Sequence, residues 1–185
     1  MIVLGLDFET SGLDTAEACI IEVGAVLWDT SADAPLRMFS ELVQLPEGVI
    51  LSEEVERKTG ITMEILQRCG IQLPSVLSQL LDVSQQASAI VAHNGNAYDR
   101  PVLLEHLKRL KWEETVWANR LLVMPWIDTL LDVPYPDDKP ARRLTYAAAE
   151  HGFLNPFSHR ALPDVLTTLR LASFYDWDRL LFSSK

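Results

Sequence analysis

Ile2-Val3-Leu4-Gly5-Leu6-Asp7-Phe8-Glu9-Thr10 is an apolar run that ends on two acids. Ile2 to Leu6 is almost wholly apolar, which is how a strand buried on both faces of a sheet reads. Asp7 and Glu9 stand two apart, so on an extended strand their side chains share a face. They lie at the exit of that strand, where ligand sites of open α/β sheets form. Taken alone the pair has a plain alternative, two polar residues that end a strand. With no basic leader before Asp7, the opening reads as a first strand rather than a signal peptide.

Working outward, Ile20 to Trp28 reads as a second strand, linked to the first through Ser11-Gly12-Leu13-Asp14. Phe39 to Leu45 reads as a third, ended by Pro46-Glu47-Gly48. Three strands with no helix between them predict an antiparallel meander. Helices follow: one capped by Ser52, and one opened by Pro74 with Val76, Leu77, Leu80 and Leu81 on one face. Ala89 to Ala92 is a fourth strand, and Asp99 to Lys111 a helix that buries Leu103, Leu107 and Leu110. Val123 to Ile127 is a fifth strand, which Pro125 limits to an edge or a short piece. Pro134 to Pro140 reads as a loop, and Leu144 to His151 as a short helix stopped by Gly152. A last long helix runs from near Pro163 to Tyr175, with Val165, Leu169 and Ala172 at helical spacing. Asp178 to Phe182 reads as an amphipathic tail that packs on the rest. The pattern predicts one domain over residues 1–185, an α/β fold with a mixed five-stranded sheet flanked by helices.

Composition sets the bounds. The 185 residues suffice for a sizeable core, and 48% hydrophobic with 23% charged residues fits a soluble globular chain. No apolar run approaches the roughly 20 residues of a membrane span. Cys19 and Cys69 are the only cysteines and have no metal-site spacing, so a reduced, cytoplasmic setting is expected and thiolate zinc is not. The net charge of −10 argues against a non-specific nucleic-acid coat protein. A nuclease remains compatible with it, because bound divalent ions offset charge at the site.

The chemistry-bearing residues are spread out. Beyond Asp7 and Glu9, Asp99 closes His93-Asn94-Gly95-Asn96-Ala97-Tyr98-Asp99, and His159-Arg160-Ala161-Leu162-Pro163-Asp164 follows. If these carboxylates meet in the fold, their repulsion is costly unless cations fill the gap. Oxygen ligands suit hard ions such as Mg2+ or Mn2+, and paired ions beside a histidine point to phosphodiester hydrolysis. Each piece also has an ordinary reading. Asp99 before Arg100-Pro101 is a good helix cap, and Asp164 a first-turn acid favoured by the helix dipole.

Their joint occurrence in this order resembles the DnaQ-like 3′–5′ exonucleases, in the subgroup named for four acids and a histidine (DEDDh), from Ile2 to about Tyr175. The resemblance implies the RNase H-like (DnaQ-like exonuclease) fold. It implies that Asp7, Glu9, Asp99 and Asp164 hold two divalent cations, Mg2+ or Mn2+, and that His159 is the general base. Asn94 lies five residues before Asp99, and the segment Val91 to Leu103 is similar to the three-prime repair exonuclease (TREX) group. That likeness implies a nucleic-acid partner with a free 3′ end, DNA favoured, and leaves a homodimer open. The chain lacks the proline-rich insertion and C-terminal extension of animal members, so no membrane tether is expected.

The resemblance also carries over Thr10 to the terminal 3′ hydroxyl and Leu13 to the apolar wedge against the last base. For Leu13 packing after a turn is an equal alternative. Asn94 either orders the loop beside Asp99 or satisfies a strand end. Asp128 falls where the family often has a strand-end acid and reads as a support or helix cap. Arg142-Arg143 and the cluster of Lys108, Arg109 and Lys111 read as phosphate contacts or as solvated faces. Two rival functions stand beside the DNA exonuclease: an exoribonuclease of RNase T or oligoribonuclease type, and a catalytically silent nucleic-acid-binding module.

Overall fold

The computed structural model describes residues 1–135 and 143–183. The first strand, β1 (Ile2–Thr10), pairs antiparallel with β2 (Ile20–Asp29), which pairs antiparallel with β3 (Ala34–Leu42). On its other side β1 runs parallel to β4 (Ile90–Ala92), and β4 parallel to β5 (Trp126–Asp128). The order β3-β2-β1-β4-β5 is the expected mixed five-stranded sheet. Its helices are α1 (Glu53–Thr59), α2 (Met63–Cys69), α3 (Leu73–Ser84), α4 (Asp99–Arg109), α5 (Val116–Val123), α6 (Leu144–Glu150), α7 (Ala161–Ala172) and α8 (Trp177–Ser183).

Alternation along β1 sends its side chains into two cores. Leu4, Leu6 and Phe8 join Val76, Leu77 and Leu80 of α3 with Val102, Leu103 and Leu107 of α4. Val3 points the other way and joins Val165, Leu169 and Ala172 of α7 with Leu180 of α8. A strand covered on both faces has no solvated side, which is why its sequence is a continuous apolar run. Among the described residues no helix is long and apolar enough to cross a membrane.

The boundaries depart from expectation where side-chain pattern carries little signal. β1 continues past Leu6 to Thr10, so both acids are strand residues. β3 spans Ala34–Leu42 rather than Phe39 to Leu45. It is an edge strand whose residues are mostly exposed, so Pro35 is tolerated and no alternation marks its start. Val123 ends α5, a helix capped by the Thr115 side chain, so β5 begins only at Trp126. Pro125 lends its carbonyl to the N–H of Ile90 just before that strand. The helices α2 and α5 lie outside the expected set. Both are short, and each starts on a threonine cap, Thr62 and Thr115. α7 begins at Ala161, with Pro163 within its first turn. Of the expected loop from Pro134 to Pro140, residues 136–140 lie outside the described residues, as does Arg142.

Candidate active site

The odd positions of β1 build the site. Val3 and Gly5 face α7 within the core, and Asp7 and Glu9 continue that face to its open end. Two glycines let α7 approach. A Cβ on Gly5 would lie 2.6 Å from Val165 Cγ1, and one on Gly24 would lie 2.4 Å from the backbone carbon of Ala161. Gly24 is the cross-strand partner of Asp7. The start of α7, which carries Asp164, is therefore pressed onto the sheet beside the first acid.

Two of the four predicted ligands, with His159, come close together. Glu9, His159 and Asp164 each offer a ligand atom, and these atoms lie within 4.8 Å of one another. Asp7, His159 and Asp164 line one cleft of about 670 Å3, together with His93, Asn94 and Arg143. Asp99, only 2% exposed, accepts the N–H of Phe8 at 3.0 Å. This carboxylate is thus pinned to the β1 backbone between Asp7 and Glu9. The cap reading of Asp99 is corrected here: the N-cap position belongs to Tyr98, and Asp99 is the first helical residue.

Clustering shows in the titration of these groups. Desolvation, then the charges of Asp99, Glu9 and Asp164, push Asp7 well above the usual carboxylate range. Glu9 is pushed up to about 8 by desolvation and then by Asp164 and Glu22. Burial raises Asp99 to about 7, against the opposing hydrogen bond from Phe8. Asp164 rises to about 6, also by burial, tempered by the N–H of His159 at 2.9 Å and the Asn155 amide, which donate to it. His159 moves the other way: desolvation, then the Lys58 ammonium, lower it below the ordinary imidazole value. Four carboxylates that resist joint ionisation form an oxygen-rich donor set that fits hard divalent cations.

The family model described as Exonuclease (RNase T) matches residues 4–172. The chain belongs to the RNase T exonuclease family. This DnaQ-like exonuclease domain is 33% identical over 174 residues to a PolC-type DNA polymerase III of Thermotoga maritima, covering 90% of the chain but 11% of the polymerase. It therefore spans about a tenth of the curated relatives it matches. E. coli exonuclease I in complex with a dT13 oligonucleotide has the same fold, with a TM-score of 0.79 at 19% identity, over 94% of this chain and 40% of that one. The nuclease domain of 3'hExo, a DEDDh family member bound to rAMP, superposes with a TM-score of 0.74 at 19% identity, over 94% and 90% of the two chains.

The remaining predicted residues of the exonuclease domain find distinct places. Thr10, 8% exposed, donates to the Gly12 carbonyl at 2.7 Å and shares a short hydrogen bond with the Tyr98 hydroxyl. This network holds the turn on which Leu13 stands 82% exposed, so packing after a turn is not what Leu13 does. Leu13, Thr10, Glu9 and Tyr98 line a second hollow of about 370 Å3. Asn94, in the left-handed region at φ 65°, orders the loop: its carbonyl accepts the N–H groups of Ala97 and Tyr98, one residue before Asp99. Asp128, fully buried, acts as a support, accepting N–H groups from Asn94 (2.8 Å), Asn96 (3.0 Å) and Leu130 (3.0 Å). Of the basic clusters, Arg109 is tied to the carbonyls of Ala16 and Ala18, while Arg143 lines the cleft.

Sequence reasoning missed one pair. Glu22 is 1% exposed and sits opposite Glu9 on β2. The Arg160 guanidinium donates to both its oxygens, at 2.6 to 3.1 Å, and the N–H of Ala161 adds a bond at 2.9 Å. This clamp ties the residue after His159, itself at φ 65°, to the sheet. The signal was present, since Glu22 is the lone charge in Ile20 to Trp28. A buried charge of that kind needs a partner.

Proposed function

We propose that this chain is a 3′–5′ exonuclease that hydrolyses the terminal phosphodiester of DNA and releases nucleoside 5′-monophosphates. Two divalent cations, Mg2+ or Mn2+, would be held by Asp7, Glu9, Asp99 and Asp164. The observation that carries this reading is the convergence of four mutually repelling carboxylates and His159 on the open end of β1. When bound, such ions stabilise charge on the scissile phosphate and acidify the attacking water.

The protein's own groups do the rest. His159, whose protonated form is disfavoured by desolvation and by the Lys58 ammonium, accepts the proton of the attacking water. The Asp164 carboxylate fixes the backbone of His159, and the Glu22–Arg160 clamp fixes the next residue. Thr10 and the exposed Leu13 receive the terminal nucleoside in the second hollow. Single-stranded DNA as substrate is supported by the oligonucleotide complex of the similar exonuclease I. The segment Val91 to Leu103 supports a place near the TREX group.

End-labelled DNA and RNA oligomers of matched sequence, digested with Mg2+, Mn2+ or chelator, test the reading. Stepwise 3′ shortening of DNA that chelator stops is expected, and an intact DNA 3′ end with either ion defeats the proposal. His159→Ala should retain DNA binding and lose turnover by about 10²–10⁴-fold. Full turnover in that variant removes the base from His159.

A further inference from the structure

Two hollows meet at one lysine. Lys58 lines both the acid cleft with Asp7, His159 and Asp164 and the smaller hollow with Thr10, Leu13 and Tyr98. Its place on the last turn of α1 is well fixed. Ser52 caps the start of that helix, Gly60 closes it at φ 71°, and buried Thr59 donates to the Val55 carbonyl at 2.9 Å. The side chain itself is exposed, and no salt bridge to its ammonium occurs among the described residues. Arg160 is committed to Glu22 and Arg109 to the Ala16 and Ala18 carbonyls, and Arg143 lines the acid cleft but not the smaller hollow, so of these cations Lys58 alone borders both. The Lys58 charge is nonetheless felt by Glu9, Asp164 and His159.

A strand whose terminal nucleoside occupies the smaller hollow must cross into the acid cleft at this boundary. The chain link that makes the crossing is a phosphodiester, the only anionic part of the substrate. Once divalent cations neutralise the carboxylates, the phosphate is the anion left for a free ammonium at that wall. We propose that Lys58 anchors the phosphate attached to the terminal nucleoside, and so sets which phosphodiester is presented to the acids. This inference rests on the exonuclease reading for the identity of the strand. A lysine does this as a point charge, without the forked geometry that would make arginine obligatory.

The test compares Lys58→Met and Lys58→Arg with the unmodified protein. Thymidine 5′-monophosphate and thymidine are titrated calorimetrically with Mg2+ present, and turnover is measured on a dinucleotide and a 15-mer. In Lys58→Met the monophosphate should bind about tenfold more weakly, thymidine should bind unchanged, and Lys58→Arg should recover most of the loss. The fall in kcat/KM should be equal on the dinucleotide and the 15-mer, because the anchored phosphate is present in both. Unchanged monophosphate binding overturns the proposal. So does equal weakening of thymidine, which marks a structural role, or a turnover loss confined to the 15-mer, which places Lys58 on upstream phosphates. Absence of turnover on both substrates in the unmodified protein defeats the nuclease reading instead, while the monophosphate comparison still judges Lys58.

Discussion

The two faces of β1 share a backbone and do opposite work. Leu4, Leu6 and Phe8 face α3 and α4 in a dry core, whereas Gly5 packs against α7 and, further along that face, Asp7 opens into the acid cleft and Glu9 into the smaller hollow. On the first face every side chain lowers the free energy of the fold by leaving water, roughly 1.5–3 kcal/mol for each large one. On the second, Asp7 and Glu9 are held where their charged forms are disfavoured. The lesson is that a period of two lets one strand anchor a site rigidly while storing electrostatic tension on its reverse. Such tension is expected where a structure holds a functional site.

The sharpest way to break the comparison is one substitution on each face. Asp7→Asn should lower turnover by on the order of 10³-fold, as the loss of several kcal/mol of charge stabilisation implies. In the metal-free protein at pH 8 it should raise the melting temperature, by removing a repelled charge. A fall in metal-free melting temperature would show that the acid face is not strained. Leu6→Ala should do the reverse, costing about 2–5 kcal/mol in a denaturant titration while leaving activity at low temperature. Activity lost in step with Asp7→Asn would mean that the faces are not separable.

The next effect concerns pH and ions. The folded-state pKa values of Asp7, Glu9, Asp99 and Asp164 lie above those of the unfolded chain. These groups therefore bind more protons when folded, and their contribution to stability falls as pH rises from about 4 to about 8. The metal-free protein should lose stability across that window on their account. Added Mn2+ should restore it more at pH 8 than at pH 6, by about 5–10 °C at a hundredfold excess over its Kd. Thermal melts with Mn2+ or chelator at both pH values decide it, and a larger gain at pH 6 would contradict the assigned ligand set.

The smallest effect on turnover probes how α7 is held against the acid face. Arg160→Ala leaves Glu22 buried without its cation and should cost at the lower end of roughly 3–5 kcal/mol, since Arg160 is partly exposed. Its kcat should fall, with KM little changed, and Arg160→Lys should recover part of kcat. A loss of stability with kcat intact would limit the clamp to structure.

Much of this was legible before folding. The apolar run of β1 and its two acids, the acid after His93 to Tyr98, and the histidine and acid around Pro163 mark strand ends and helix starts by local chemistry alone. The edge strand β3 was misplaced because exposed residues carry no period. α5 was missed because its eight residues sit against a proline that reads as a strand limit.

Alternation and residue chemistry along the chain determined which side chains share a face, and that four acids and a histidine lie at element ends. Only the tertiary structure decided that Asp99 bonds the backbone between two acids, that Glu22 holds Arg160, and that Lys58 stands where two hollows join. The physical reason is range. Local backbone preferences act over a few residues, whereas these contacts join residues up to 138 positions apart and exist only once separate helices have packed on the sheet.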